Sequence, residues 1–307
     1  MTATYGFLAL NASGQVLVSS ETRNLHFVGK ATFYDTVFTS DGYGGMRRWT
    51  YRINCLVTPV PFFTMPTEDY YGVSRVSEVS THVWEIEIIR SGTSTGHPEV
   101  YVFADPRAST ERDTNYGMLV MRDDGTPSFD SRLGPLAITG GISVGPPSNP
   151  LVTSPTGLDP KNCNSDPSAN FGSDNSNSYS FTASGSKPIF FYPSLPQAER
   201  EVTFSASEDE CDGVDAYGNC VGAARHYEWY SYYWAFYRAG IRYVGGYLFC
   251  GWITVEHGCH WTYSKDSAFI GIGTGGESGT AGTWPYSNET LNLTSTAVIT
   301  ANGAHYD

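Results

Sequence analysis

The chain has 307 residues, enough for one large or two medium domains, and carries 31 acidic against 18 basic side chains for a net charge of -13. That balance argues against a nucleic-acid partner, because phosphate binding rests on Lys and Arg neutralising the backbone. With 33 Gly, 17 Pro and 21 Tyr, and no long stretch with apolar residues at helical spacing, the composition is that of a turn-rich, aromatic, all-β protein.

No segment approaches the ~20 apolar residues of a membrane span, so no membrane insertion is expected. The opening MTATYGFLALNASG lacks the basic and long apolar regions of a secretory signal, which predicts synthesis in the cytoplasm.

The most informative feature is a repeat. YGFLALNASGQVLVSS from Tyr5 and YGMLVMRDDGTPSFDS from Tyr116 stand 111 positions apart, and each reads as an apolar strand, a polar turn with Gly14 or Gly125, and a second strand. Asn and Asp bond their own backbone in such turns, and Gly supplies positive φ. Two related hairpins are therefore expected within β-sandwich or meander modules.

Further strands follow to Gly145: LHFVGKATFYDTVF, WTYRINCLVT, HVWEIEIIRSG and EVYVFAD, each bounded by turn residues. In the third of these, Trp84, Ile86 and Ile88 alternate with Glu85 and Glu87, the pattern of a strand with one buried face. The two carboxylates then share the solvent face rather than act as an acid and base pair. Residues 1–145 are thus expected to form an N-terminal β domain with an internal repeat.

Residues 146–186 shift to Pro, Ser, Asn and Asp with few apolar anchors and read as an extended linker. Residues 187–307 read as a second, aromatic-rich β domain. It contains HYEWYSYYWAFYRAGIRYVGGYLFCGWITVEHGCHWTY, which predicts a three-strand meander with turns at Gly245-Gly246 and His257-Gly258. Along its first strand Tyr230, Tyr232, Trp234 and Phe236 occupy one face, and Tyr227, Trp229, Tyr233 and Tyr237 the other. A strand apolar on both sides has to be covered on both, by its own sandwich or by another protomer. Trp229, Tyr230, Tyr232, Tyr233, Trp234 and Tyr237 are accordingly the candidate glycan or partner contacts.

Motifs for chemistry fail on their mechanics. Gly141-Ile142-Ser143-Val144-Gly145 fits a nucleophile elbow, but Pro146-Pro147 forbids the helix that must follow. Gly271, Gly273 and Gly276 fit a dinucleotide fingerprint, yet the residues after them open no helix. Glu208, Glu210, Asp212 and Gly213 match the start of a calcium loop, while Asn219 stands where its bidentate Glu belongs. A looser calcium site would use Asp209, Asp212 and Asp215 and competes with a solvated acidic turn. In Glu256-His257-Gly258-Cys259-His260, strand alternation sends His257 and Cys259 one way and His260 the other, so zinc would need ligands from elsewhere. Of six cysteines, Cys211 and Cys220 are the disulfide candidates, and free buried thiols are the default for the rest. No cofactor and no catalytic residue is expected.

The first hairpin together with Asn24-Leu25-His26-Phe27-Val28-Gly29-Lys30 resembles the opening of small structural proteins of tailed bacteriophages, found in tail-tip, baseplate and fibre modules. Phe129-Asp130-Ser131-Arg132-Leu133 with Leu136 is similar to a segment of the same group. The resemblance covers the first half of the chain, and AFYRAGIRYVGGYLFCGWITVE more loosely. It implies a non-enzymatic virion structural protein, made in the host cytoplasm and located in the tail, with residues 1–145 as its docking module. Its expected partners are other copies of itself and other tail proteins, with a host surface glycan or receptor as a further one. The alternative is a carbohydrate-binding module or a glycan-degrading enzyme acting on cell-surface polysaccharide.

Overall fold

Alternation of apolar and polar residues makes most of the chain strand. The computed structural model describes residues 8–10, 16–19, 24–39, 46–92, 95–106, 117–147, 176–194, 197–217, 220–269, 287–292 and 295–307. Strands are numbered in chain order, and every pair within the sheets is antiparallel. The all-β class is as expected from composition.

A six-stranded sheet runs β12 (Ile138–Val144), β19 (Thr296–Asn302), β14 (Pro188–Phe191), β6 (Val60–Phe63), β9 (Val100–Ala104), β3 (His26–Lys30). A nine-stranded sheet has as its main path β13 (Asn177–Ser180), β17 (Tyr247–Phe269), β16 (Cys220–Val244), β7 (Tyr71–Ser80), β8 (Val83–Ser91), β5 (Met46–Asn54), β4 (Thr32–Thr39). Its remaining strands, β15 (Gln197–Val214) and β18 (Ser287–Asn292), lie beyond the outer part of β16.

Both sheets draw strands from either side of the 146–186 segment. The core between them does the same: Trp49, Tyr51, Tyr71, Ile86 and Ile88 meet Tyr237, Ile241 and Trp252 from one sheet, and Phe63, Val102, Phe190 and Val298 from the other. The composition boundary thus falls between segments whose strands lie side by side. Within it, Asn177–Ser180 is strand β13, paired with Tyr247 to Cys250 of β17. The part numbered 148–175 lies outside the described residues.

The stretch expected as one strand from Leu25 to Phe38 is two strands in different sheets. β3 bulges between Phe27 and Gly29, the chain turns at Ala31, whose N–H donates to Val100 O at 2.9 Å, and β4 continues in the other sheet. A bulge at a sheet corner is the usual device for changing sheets. The core it helps close is aromatic. Trp49 stacks on Tyr71 at 6.3 Å between ring centroids, and the fully buried Arg90 sits over the Trp49 ring at 5.0 Å with Asp69 at 3.5 Å. Burial of the cation is tolerable because the ring face and the carboxylate share its charge.

The six-stranded sheet buries its outer face too. Phe62, Tyr101, Phe103, Ile189 and Ala301 are covered by Leu25, Phe27, Leu136 and Tyr306. The Tyr306 hydroxyl donates to Pro135 O at 3.0 Å and accepts from Ala137 N at 2.9 Å. The last residues thereby fasten the segment that follows the second hairpin.

The two hairpins of the repeat form with matching register. β1 (Leu8–Leu10) pairs with β2 (Val16–Ser19), and β10 (Leu119–Met121) with β11 (Pro127–Asp130), each as a separate two-stranded sheet. Leu8 faces Ser19 as Leu119 faces Asp130, and both ladders bulge just before the last pair. In the second, Gly125 takes φ 77° and Asp124 Oδ1 accepts from Thr126 N at 2.9 Å, the expected turn chemistry. Gly117 has a separate reason: a Cβ there would stand 2.4 Å from Arg132 Cγ.

The turn expected at Gly245-Gly246 is present, with φ 59° and 83°. That at His257-Gly258 is absent, and β17 runs through it with Gly258 opposite Trp234 and His257 opposite Ala235. The ladder to β16 supplies the backbone bonds a turn would give up, and a glycine within a strand then marks close approach rather than reversal. Lower on the same strands, Gly240 pairs with Gly251 and the Tyr70 ring lies over the pair, with Arg242 over that ring at 5.0 Å. An added Cβ on Gly251 would meet the Tyr70 ring at 2.6 Å. Gly251→Ala is expected to lower stability by about 1–3 kcal/mol in urea unfolding. Adding Tyr70→Ala in that background is expected to cost less than Tyr70→Ala alone, which a double-mutant cycle reads directly.

Candidate functional site: a projecting three-stranded arm

β15, β16 and β17 are 18, 25 and 23 residues long. At about 3.3 Å per residue, β16 is on the order of 80 Å from end to end, several times a usual strand. Only its last part belongs to the sandwich. Tyr237, Ala239 and Ile241 are buried in the core, and Ile241 pairs with Tyr71 of β7. From Arg238 back towards Cys220 the same edge of β16 is paired by β15 instead. Arg238 Nη1 donates to Ser74 O at 3.0 Å, and the Ser194 hydroxyl donates to Ala239 O, closing the point of handover. Beyond it three strands run on together, in the order β15, β16, β17, for roughly 50 Å at that rise.

Register shows what the arm presents. Trp229 pairs between Ala206 and Tyr263, Ser231 between Phe204 and Trp261, and Tyr233 between Val202 and Cys259. At the alternate positions Tyr230 pairs between Ser205 and Thr262, Tyr232 between Thr203 and His260, and Trp234 between Glu201 and Gly258. Five of the six candidate contact residues therefore lie on the arm. The sixth, Tyr237, is fully buried at its root, its ring 6.4 Å from Trp252, because at that level the face closes the sandwich.

The acidic run proves to be strand rather than turn. Glu208, Asp209 and Glu210 lie on β15 opposite Tyr227, His226 and Arg225, and Asp212 falls at the bulge between Cys211 and Gly213. Asp215 belongs to the exposed turn, its Oδ1 accepting from Tyr217 N at 2.8 Å. Among the described residues no group of three His, Cys, Asp or Glu converges as a metal site. Cys211 pairs in register with Ala224 and Cys220 with Val214, so the two are not opposite each other. Cys55 and Cys250 are buried free thiols, and burial pushes the Cys250 thiol up to about 11.

On the sandwich, Glu85 and Glu87 share one face as alternation predicts, but in an ion-pair ladder. Arg52 and Arg75 reach Glu85 at 3.1 and 3.0 Å, Arg48 and Arg75 reach Glu87 at 3.6 Å, and the Ser74 hydroxyl also donates to Glu87. The arginines sit on the flanking strands β5 and β7, and the alternation of those strands held the signal.

A buried polar cluster joins the second hairpin to β3, and sequence reasoning passed over it. Asn24 Nδ2 donates to Ser128 O at 3.1 Å, Asp130 N donates to His26 Nε2 at 3.2 Å, and Arg132 grips the buried Asp130 carboxylate with two bonds of 2.6 and 2.5 Å. His26 packs on Phe129 at 5.6 Å. Burial holds the His26 pKa below its ordinary 6.5, against the opposing pull of bonds to Asn24 and Asp130 and of the Asp130 and Asp105 charges. The neutral ring accepts from Asp130 N, a bond that a protonated Nε2 cannot make.

Comparison with protein-family models, with curated proteins and with solved structures finds no match.

The His26 geometry sets a pH dependence with a definite sign. The folded pKa lies below the unfolded 6.5, so the contribution is fully present above pH 6.5 and is lost as the pH falls and the unfolded chain takes up the proton first. Urea midpoints measured from pH 7.5 to 5 are expected to drop below 6.5 in the native chain, and to drop less in His26→Gln.

Proposed function

We propose that the chain is a non-enzymatic structural protein of a phage tail tip, baseplate or fibre, in which the sandwich is the seat and the arm makes the contacts that assemble the particle. The observation that carries this reading is the arm itself: three strands several times the usual length, paired in register, whose middle strand is aromatic at successive positions in the sequence. Other copies of the chain and other tail proteins are the proposed partners, and contact with the host surface is a further role of the same faces. The repeat hairpins and the residues after them supply the resemblance to tail proteins, and the second hairpin is fastened to β3 in a way that suits a docking module.

A second reading has one observation in its favour. The stripe of Tyr230, Tyr232 and Trp234 is flanked in register by hydroxyl, imidazole and carboxylate positions, the mix of ring platform and polar rim that sugars use. It would make the arm a carbohydrate-binding surface.

The two readings separate experimentally. In particles purified from cells producing the chain along with its phage, an antibody against it is expected to label one end of the tail in electron micrographs. Particles without the chain, together with binding of the purified chain to a glycan array that is lost in Trp234→Ala, would replace the first reading with the second.

A further inference from the structure

The second hairpin is weakly built for something that sits on the sandwich. β10 and β11 form a sheet of two strands that joins neither large sheet. Their apolar contribution is small: Val120 and Phe129 make a cluster of their own, apart from the cores of the sandwich. The ring that Phe129 meets, at 5.6 Å, is that of His26, 2% exposed at the start of β3.

The hydrogen bonds across the junction gather in the same place. Asn24 donates to Ser128 O from its backbone N at 3.2 Å and from Nδ2 at 3.1 Å, and Asp130 N donates to His26 Nε2 at 3.2 Å. Arg122 adds an ion pair to Asp105 at 3.5 Å. Beyond the hairpin the chain has its own hold on the sandwich, with Phe27 N donating to Gly134 O and Leu136 N to Leu25 O.

A charged His26 does not fit this junction. Nε2 faces the N–H of Asp130, so a hydrogen on it would set donor against donor. Nδ1 is sealed from solvent as well, so the cation would go unhydrated at either nitrogen. The carboxylates whose charge reaches the ring are already matched, Asp130 by two bonds from Arg132 and Asp105 by Arg122. Among the described residues these four are the charged groups around His26, from the hairpin, the residues after it and the end of β9. Once the hairpin is off β3, water reaches the imidazole and the proton meets no such opposition. Two strands without a support are themselves marginal in water.

We propose that the second hairpin is a pH-sensitive latch: protonation of His26 releases residues 118–131 from β3 while the sandwich stays folded and Gly134 and Leu136 keep their bonds to Phe27 and Leu25. The latch goes beyond the assembly reading and stands without it.

Native-state hydrogen exchange on the full chain tests it. At pH 7.5 the amides of 118–131 are expected to be about 10-fold or more less protected than those of β5 and β8, the mark of an opening separate from global unfolding. Between pH 7.5 and 5.5, after correction for the intrinsic exchange rate, their protection is expected to fall by about 10-fold, the most that an imidazole of ordinary pKa 6.5 in the open form can produce. In low urea they are expected to change little, because the opening exposes little surface, whereas β5 and β8 respond steeply. His26→Gln supplies an amide oxygen that accepts but takes up no proton in this range, and is expected to hold the hairpin's protection constant within about 2-fold across these pH values. Hairpin amides as protected as those of β5 and β8, or as steep in urea, overturn the proposal, and so does a native pH response under 2-fold or one that survives in His26→Gln. The urea series needs no variant, so the test stands even where His26→Gln does not fold.

Discussion

The strands β16 and β17 that close the sandwich are the same strands that run on with β15 into the arm, and this continuity governs the rest of the molecule. Tyr237, Ile241, Cys250 and Trp252 are buried against strands that come from the first part of the chain. Their packing holds the root of the arm at a defined level. A three-stranded ribbon without such a root would have only its own ladder to support it, and isolated ribbons are marginal in water. Here the ladder is continuous with a large aromatic core. The handover from β7 to β15 at Arg238 lets one strand belong to both structures.

Polar groups secure the periphery of that core. The second hairpin is tied to β3 through Asn24, His26 and Asp130, and the C-terminal residues to β3, β9 and the start of β14 through a cluster of charges. Lys30 lies 2.5 Å from Asp307, Lys187 lies 2.6 Å from Glu99 and 2.9 Å from Asp307, and the Tyr101 hydroxyl is 2.8 Å from Glu99 and 2.6 Å from Asp307. Those contacts hold Asp307 well below the usual carboxylate range and push both lysines up. The cluster is partly solvated, so its worth lies in position more than in energy. Together with Tyr306 it seats the end of the chain over Phe103 and Phe27.

The same division of labour extends to the edges of the sheets. Charge on β15, a bulge with a capped donor on β4 and the segment bound over β3 each close an edge by a different means.

Local chemistry was legible in the sequence. Gly125 and Gly245-Gly246 turn where they should, the repeat predicted two hairpins that share register down to the bulge, and the alternation around Ile86 and Ile88 placed Glu85 and Glu87 on one face. These follow from φ preferences and the period of two, which act over a few residues. What the tertiary structure decided is which strands meet. Nothing near Ala31 announces a change of sheet, His257-Gly258 reads as a turn until β16 lies beside it, and Tyr237 is spaced like the arm aromatics yet is core. His26 and Asp130 become partners only when a hairpin over a hundred positions away docks. Pairing between distant strands depends on the sum of many weak side-chain contacts across sheets, and that sum is a property of the folded arrangement rather than of any stretch of sequence.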